Sequence, residues 1–531
     1  MSSVRVLFLY PNERDMSLVP PVFGLFARLL KDRGFVVDLF DSTGYTFDGH
    51  ADPDVEAEKN LFFKPVEAAS EKGIKKKLTN MFDDFSRKVD EFSPDLIAMS
   101  VTESTYLRGI SLLRHLRTVK NQKVLTIVGG VFATFAPEKV IRAPEVDIIC
   151  VGEGDDVLPA LCEKMSRGED FTRLPNLWVK TRDGSVIKNQ PGKAVNIDSL
   201  PPIDYSIFED DRFYRPMRGE VYRMLPVETH RGCPYTCSFC NSPGQNVLYE
   251  TQTQSQFFRK KSIAKIREEL INFRETWNGQ YVFFWADTFL AWSFKELSAF
   301  CEMYEEFKMP FWCQTRPETV HPNVDGYKKL EMLQKVGLHH MSFGMEHGDE
   351  KFRADVIQRA YTNDLAIRAM KVPAELGIPY TVNNVIGFPD ETYDLAMKTV
   401  EINRHFDSYN VSVSTFAPYS GTVLRTRAVK HGYMDDDFIT PANYGKSVLK
   451  MPNFPVDEIY GLQRTFVMYV KFPENRWPEI KKAEALTPEG DEVWTRLRDE
   501  FVATYFQTPE PRIDKNNEGG EVGRPQQDTK C

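Results

Sequence analysis

The chain has 531 residues, 42% hydrophobic and 27% charged, with a formal net charge of -9. That length accommodates roughly three domains, and the composition is that of a globular chain. The acidic balance disfavours a partner held through phosphates, nucleic acid included, and no apolar run approaches the ~20 residues that span a bilayer.

The first 160 residues alternate strand and helix. VRVLFLYP (4–11) is a continuous apolar run, the pattern of a strand buried on both faces. VPPVFGLFARLLKDRG (19–34) has helical spacing and ends in Gly34, a C-cap residue. FVVDLFD (35–41) is a second strand, and residues 46–91, with Lys72, Lys75, Lys76 and Lys77, read as a polar helical insertion. DLIAMSVTE (95–103), VLTIVGG (124–130) and VDIICVGEG (146–154) are three more strands, each followed by helix-like sequence. Five strands with intervening helices make a doubly wound parallel sheet, which binds ligands beyond its strand C-termini. Residues 163–222 lose this rhythm and read as a linker, with a hairpin at Asp183-Gly184 and a connector at Pro201-Pro202.

A second βα series starts at 224: MLPVETHRG (224–232), YVFFWADTF (281–289), FWCQTRPE (311–318), HHMSFGMEHG (339–348), YTVNNVIGFP (380–389) and YNVSVSTFAP (409–418). Most are spaced by roughly 30–40 residues of helical sequence, as in βα units. Six units predict a partial (β/α)6 barrel over 223–438 with its chemistry at the strand C-terminal ends. Residues 439–508 read as a helical C-terminal region and 509–531 as a disordered tail.

Of the eight cysteines, Cys233, Cys237 and Cys240 cluster in RGCPYTCSFC, and Cys150, Cys162, Cys301, Cys313 and Cys531 are scattered. That usage, with Met-Ser-Ser-Val-Arg leading straight into a strand, predicts a reducing cytoplasmic setting and one metal site. Three thiolates on one loop can ligate three irons of a cubane cluster and leave the fourth open. The alternatives are a zinc site completed by His230, or free thiols. At other strand ends, Arg316 could pair a carboxylate and Glu346 could accept from hydroxyls. The alternative is that these two and Asn384 form a barrel-mouth ion network.

CPYTCSFC resembles the cluster loop of radical S-adenosylmethionine (SAM) enzymes, and the resemblance extends over roughly residues 224–424. GMEHG (344–348), GFPDET (387–392) and FAPYSGT (416–422) resemble turns of that family. The resemblance implies a [4Fe–4S] cluster on Cys233, Cys237 and Cys240, with SAM at the open iron. Phe239 then packs near the adenine, and Arg316, Glu346, Gly387 and Pro418 fall at the cofactor site. Asp287 in WADTF stands where Gly-Gly-Glu often holds the SAM amino group.

The N-terminal sheet (1–162) resembles the cobalamin-binding domain that precedes many such barrels. Its slot would be formed by Ser100, Thr102, Gly129, Gly130, Gly152 and Glu153. Thr102 replaces the leucine of the family's Ser-x-Leu turn, and no Asp-x-His-x-x-Gly motif supplies a lower cobalt ligand. A retained fold without cofactor is the alternative. The whole implies a cobalamin-dependent radical SAM methyltransferase acting on an unactivated carbon of a small molecule. One SAM would supply the methyl group. A second would be cleaved at the cluster to a 5′-deoxyadenosyl radical, with a reductase, flavodoxin or ferredoxin as electron donor. The rivals are a cyclase, rearrangement or oxidation enzyme, a SAM-only enzyme and a non-catalytic module. An enzyme modifying transfer RNA is disfavoured by the acidic balance.

Overall fold

The computed structural model describes residues 3–13, 18–46, 53–64, 72–320, 325–441 and 445–506. His50, Cys531 and the tail from 509 lie outside the described residues. The first sheet contains β1 (Arg5–Tyr10), β2 (Val36–Asp41), β3 (Leu96–Ser100), β4 (Leu125–Gly129) and β5 (Ile148–Cys150). These strands are parallel in the order β2-β1-β3-β4-β5. This is a doubly wound order whose crevice opens beyond the strand C-termini where the winding reverses, between β1 and β3.

Two expectations change. The hairpin assigned to the linker, β6 (Leu177–Lys180) and β7 (Val186–Lys188), adds antiparallel to β5 and extends the first sheet to seven strands. Its turn was legible, but its partner was not, because the edge of β5 is set by long-range pairing. The polar insertion is helical over Pro53–Lys59 and Met81–Phe92, while residues 73–80 form no helix.

The second sheet opens with an antiparallel hairpin, β8 (Tyr214–Met217) and β9 (Glu220–Glu228). Its two turn residues, Arg218 and Gly219, have φ of 50° and 81°, the left-handed pair that a two-residue hairpin needs. The arginine at the first position hid this turn from the sequence. A short pair, β10 (His230–Arg231) with β11 (Arg259–Lys260), flanks the loop after β9. Then come β12 (Tyr281–Trp285), β13 (Phe311–Thr315), β14 (Leu338–Glu346), β15 (Tyr380–Ile386) and β16 (Asn410–Thr415). The order β16-β15-β14-β13-β12-β9-β8 has its six main strands parallel and consecutive, the expected partial barrel. The helix Val456–Lys471 packs on the edge strand β16, with Phe466 and Met468 in one core with Val411 and Val413. An exposed strand edge is thereby covered.

The two sheets share one apolar core, running from Phe8 and Phe23 through Ile203 and Tyr205 to Leu225 and Phe284. Their C-terminal edges are tied by buried charge. Glu103, at the start of the helix after β3, is 3% exposed. It accepts from the backbone N–H groups of Ser420 (2.6 Å) and Thr440 (2.9 Å) and from Arg425 Nη1 (3.0 Å). Breaking such a buried pair from one side costs about 3–5 kcal/mol. Glu103→Ala therefore lowers the unfolding free energy by that order, and the drop in denaturant midpoint at unchanged m, followed by tryptophan fluorescence, checks it.

At the opposite end of the barrel, burial pushes His339 down to about 4 and His340 to about 3. Both stay neutral in the fold, while the unfolded chain protonates them below about 6.5. Their contribution is complete above that pH and is lost as pH falls toward 4. A variant carrying His339→Asn and His340→Asn shows a flatter urea midpoint between pH 6.5 and 4 than the parent.

Candidate functional site

A cavity of about 440 Å³ lies between the C-terminal edge of the first sheet and the barrel. Its first wall includes Ser100, Gly129, Gly130, Gly152 and Glu153, and Trp285, Arg231 and Asp287 contribute from the barrel. Gly130 has φ of 96°, and a Cβ there would stand 2.4 Å from the Val101 carbonyl oxygen. Gly152 has φ of 93°, and a Cβ there would lie 2.7 Å from the Tyr249 hydroxyl. A Cβ on Gly129 would touch Cys150 at 3.6 Å, ordinary contact. The strand ends are thus bare backbone facing a crevice, a shape that admits close approach by a large ligand. Thr102 is not part of the cavity wall; it caps the helix Glu103–Thr118 reciprocally with Thr105.

Glu153 lines the cavity, but its carboxylate is engaged. Oε1 accepts from Arg231 (2.7 Å) and Arg259, and Oε2 accepts from the Val195 N–H (2.9 Å). Arg231 also pairs with Asp155 (3.1 Å) and Glu228 (3.0 Å). This network holds the loop after β5 against the loop after β9.

The cysteine loop follows β10, with Cys233 and Cys237 buried and Cys240 half-buried. Each sulfur has a hydrogen-bonding neighbour. Thr288 Oγ1 lies 3.5 Å from Cys233 Sγ, and the Ser242 N–H donates to Cys240 Sγ at 3.4 Å. Cys237 Sγ receives Arg359 Nε at 3.3 Å and Arg316 Nη1 at 3.5 Å. Burial pushes the Cys240 thiol up to about 11, so loss of its proton needs a bound metal. Two guanidinium groups on one sulfur suit a thiolate.

The zinc alternative fails on geometry. His230 Nε2 lies 3.1 Å from the Thr288 carbonyl, to which it donates, and Nδ1 accepts from the Thr229 hydroxyl at 3.2 Å. Both ring nitrogens are therefore occupied. Among the described residues, no three His, Cys, Asp or Glu side chains converge on a single-ion site. Cys150, Cys162, Cys301 and Cys313 are buried thiols in separate elements.

Ser242 links the two sites, since its hydroxyl donates to Asp287 Oδ2 at 2.8 Å. Burial raises the Asp287 carboxyl above its usual range. Arg316 pairs with Glu318 (2.5 Å), the internal ion pair that was the alternative to a ligand carboxylate, while its guanidinium lies 3.8 Å from the Tyr235 ring centroid. Glu346 pairs with Arg359 Nη2 at 3.1 Å. The same guanidinium lies 5.5 Å from the Phe239 ring, so Cys237, Phe239, Arg316 and Glu346 form one group. Asn384 turns away and bonds Asn403.

Gly387, with φ of 82°, donates its N–H to Glu391 Oε2 (2.5 Å), and Glu391 Oε1 accepts from His347 (3.0 Å). The carbonyl of Pro418 accepts from Arg425 (2.8 Å). Gly387 and Pro418 thus stand in turns held by their own partners, outside the cavity wall. Sequence reasoning missed Arg359, Ser242, Thr288 and Arg231. Arg231 and Ser242 flank the cysteine loop and Thr288 lies in WADTF, so proximity to those motifs could have found them, whereas Arg359 carries no such signal.

Residues 227–402 match the Radical SAM superfamily, and residues 67–162 match the B12 binding domain. An uncharacterized methyltransferase of Pyrococcus horikoshii is 23% identical over 75% of this chain and 83% of its own length. The hopanoid C-3 methylase of Methylococcus capsulatus is 26% identical over 64% of this chain and 62% of its own. An anaerobic magnesium-protoporphyrin IX monomethyl ester cyclase of Cereibacter sphaeroides is 27% identical over 69% of this chain and 59% of its own. The chain thus spans about 60% of the length of the latter two.

The cobalamin-dependent SAM radical enzyme OxsB, solved with aqua-cobalamin and SAM, matches with a TM-score of 0.63 and 15% identity. That match covers 95% of this chain and 72% of OxsB. The radical SAM methyltransferase TsrM from Kitasatospora setae, solved with cobalamin and a [4Fe–4S] cluster, matches with a TM-score of 0.59 and 14% identity. It covers 94% of this chain and 100% of TsrM. Both share the fold. Arg359→Met, which removes one cation and one donor from Cys237, leaves the iron content of reconstituted protein unchanged. It shifts the cluster potential to more negative values, as read by an anaerobic redox titration.

Proposed function

We propose, from the premise that this chain is a radical SAM enzyme with a B12-binding domain ahead of its barrel, that it methylates an unactivated carbon of a small molecule. The observation that carries this reading is the cavity in which bare strand ends of the first sheet face Asp287 and Trp285 of the barrel. It sets the glycine-edged crevice of the first sheet against the barrel rim that carries the cysteine loop, which supports the reading. In this reading Cys233, Cys237 and Cys240 hold the [4Fe–4S] cluster, and Ser100, Gly129, Gly130 and Gly152 line the corrinoid slot. When bound, these groups and SAM supply a 5′-deoxyadenosyl radical and a transferable methyl group.

The chain's own residues bind and orient. Arg316 and Arg359 place positive charge at Cys237. Asp287, buried and short of cations, receives the SAM amino group, and Phe239 gives an apolar surface to the adenine. Glu346, fixed by Arg359, faces the ribose hydroxyls, and Gly387 and Pro418 shape the rim. Glu153 and Thr102 act on the slot through the backbone they hold. We place the protein in the cytoplasm, with a reductase, flavodoxin or ferredoxin as electron donor. No helix among the described residues is long and apolar enough to cross a membrane.

The likeness to the cyclase supports a second reading, ring closure without methyl transfer. Anaerobic turnover of the reconstituted holoenzyme separates the two, using SAM labelled in its methyl group and a cytosolic small-molecule extract. The label enters a small-molecule product, together with 5′-deoxyadenosine, if the protein is a methyltransferase. Deoxyadenosine with no labelled product overturns that in favour of ring closure. Gly130→Trp, whose Cβ meets the Val101 backbone at 2.4 Å and forces the strand end to shift, abolishes cobalamin retention and label transfer while the iron content stays at the parent's value.

A further inference from the structure

We propose, resting on the reading above, that the barrel supplies two hydrogen-bond donors of its own to the cobalamin site, the Tyr249 hydroxyl and the Gln245 carboxamide. Their partners are acceptor oxygens of the bound corrinoid. Both residues lie on the helix Ser242–Thr253, which follows the cysteine loop. They stand one turn apart, hence on one face of that helix, and both line the cavity between the two sheets.

Tyr249 reaches into the first domain's half of the site. It is 1% exposed, and its hydroxyl accepts the Glu153 N–H at 2.7 Å. That hydroxyl stands 2.7 Å from the place a Cβ on Gly152 would take. The glycine at the end of β5 therefore makes room for a side chain of the barrel. Phe257, a second lining residue, backs the tyrosine with ring centroids 5.1 Å apart. The same helix holds the cysteine loop at its start, where the Ser242 N–H donates to Cys240 Sγ and Asn246 Nδ2 donates to the Cys233 carbonyl at 2.8 Å. Changes at 245 and 249 leave those bonds in place, so the cluster and the cobalamin site can be read apart.

A hydroxyl that accepts one bond still has a proton to give. Among the described residues, no acceptor takes the Tyr249 proton. Burial, with the Glu153 carboxylate close by, holds the phenol above its usual range, so the proton stays on the oxygen at neutral pH. Gln245 is half-buried, and among the described residues its carboxamide has no hydrogen-bond partner. Neighbouring polar groups of the wall are already engaged. Glu153 Oε2 holds the Val195 N–H, and the Thr134 hydroxyl donates to the Gly130 carbonyl (3.0 Å) and accepts from the Gly152 N–H (3.0 Å). A buried donor left without an acceptor costs free energy, which an acceptor on a ligand recovers. Cobalamin presents such acceptors as carboxamide oxygens around its corrin and phosphate oxygens in its nucleotide loop.

The test titrates full-length, cluster-reconstituted protein anaerobically with two probes, and the visible spectrum reports binding. The probes are hydroxocobalamin and diaquacobinamide, which keeps the corrin carboxamides and lacks the nucleotide loop. Tyr249→Phe and Gln245→Leu each weaken hydroxocobalamin binding roughly tenfold, the scale of one hydrogen bond lost in a buried site, while iron content stays at the parent's value. The same loss with diaquacobinamide assigns the acceptor to the corrin; a loss confined to hydroxocobalamin assigns it to the nucleotide loop. A 3-fluorotyrosine at position 249 separates donation to the ligand from support of the loop, since ortho fluorine makes the phenol a better donor and a poorer acceptor. It tightens binding when the hydroxyl donates to the ligand. Weaker binding by the fluorinated protein means that the hydroxyl only holds the Glu153 N–H and overturns the proposal, as does parent-like affinity in either substituted variant. If Tyr249→Phe fails to fold, the fluorinated protein and Gln245→Leu carry the test. Parent protein that binds neither probe sinks the reading on which this rests; a parent that binds and variants that match it sink this inference alone.

Discussion

Everything in this molecule depends on two sheets meeting edge to edge at their C-terminal ends, and buried charge holds them there. A parallel sheet exposes ligand-binding backbone at that edge only. On one side the carboxylate of Glu103 reaches from the first sheet to Ser420, Arg425 and Thr440. On the other, Glu153 and Asp155 hold Arg231, which follows the first barrel strand. Between these two ties lies the cavity. Burial of such pairs adds little net stability, but leaving one member alone is costly, so the ties fix orientation more than they add strength.

The strands of both sheets were legible because their period is local. VRVLFLYP and YTVNNVI announce themselves by burial on both faces or by alternation, and the matching strands fall at Arg5–Tyr10 and Tyr380–Ile386. The cysteine loop was legible because three thiols within eight residues have few other uses. What escaped the sequence depends on contacts between distant segments. Arg359 meets Cys237 across 122 positions, and Glu103 meets Arg425 across 322. No local pattern marks either arginine. The β8–β9 hairpin escaped for a different reason: Arg218 takes a left-handed φ of 50° that its residue type seldom adopts.

The slot itself was half legible. Glycines at the ends of β4 and β5 signalled close approach, and the positive φ of Gly130 and Gly152 with their crowded Cβ positions gives the physical reason. Polar residues in the same motifs behave differently. Thr102 caps a helix and Glu153 ties two loops, so each supports the slot without facing it through a free side chain. A motif read from sequence names the position; only packing decides whether the backbone or the side chain does the work.

The barrel divides its charge in the same economical way. Ionised groups gather at the rim, where Arg316 and Arg359 serve the cysteine loop and are balanced by Glu318 and Glu346. Asp287 is the exception: among the described residues its hydrogen-bond partner is the Ser242 hydroxyl, and burial raises its carboxyl. A carboxylate so placed lowers its energy when a cation arrives beside it. It stands where the cavity wall meets the cysteine loop, joined to Cys240 through Ser242. An acid short of cations therefore lies at the junction of the two sites. Positive charge is gathered on the cysteine loop by Arg316 and Arg359, and a carboxyl short of cations is left two hydrogen bonds away from it.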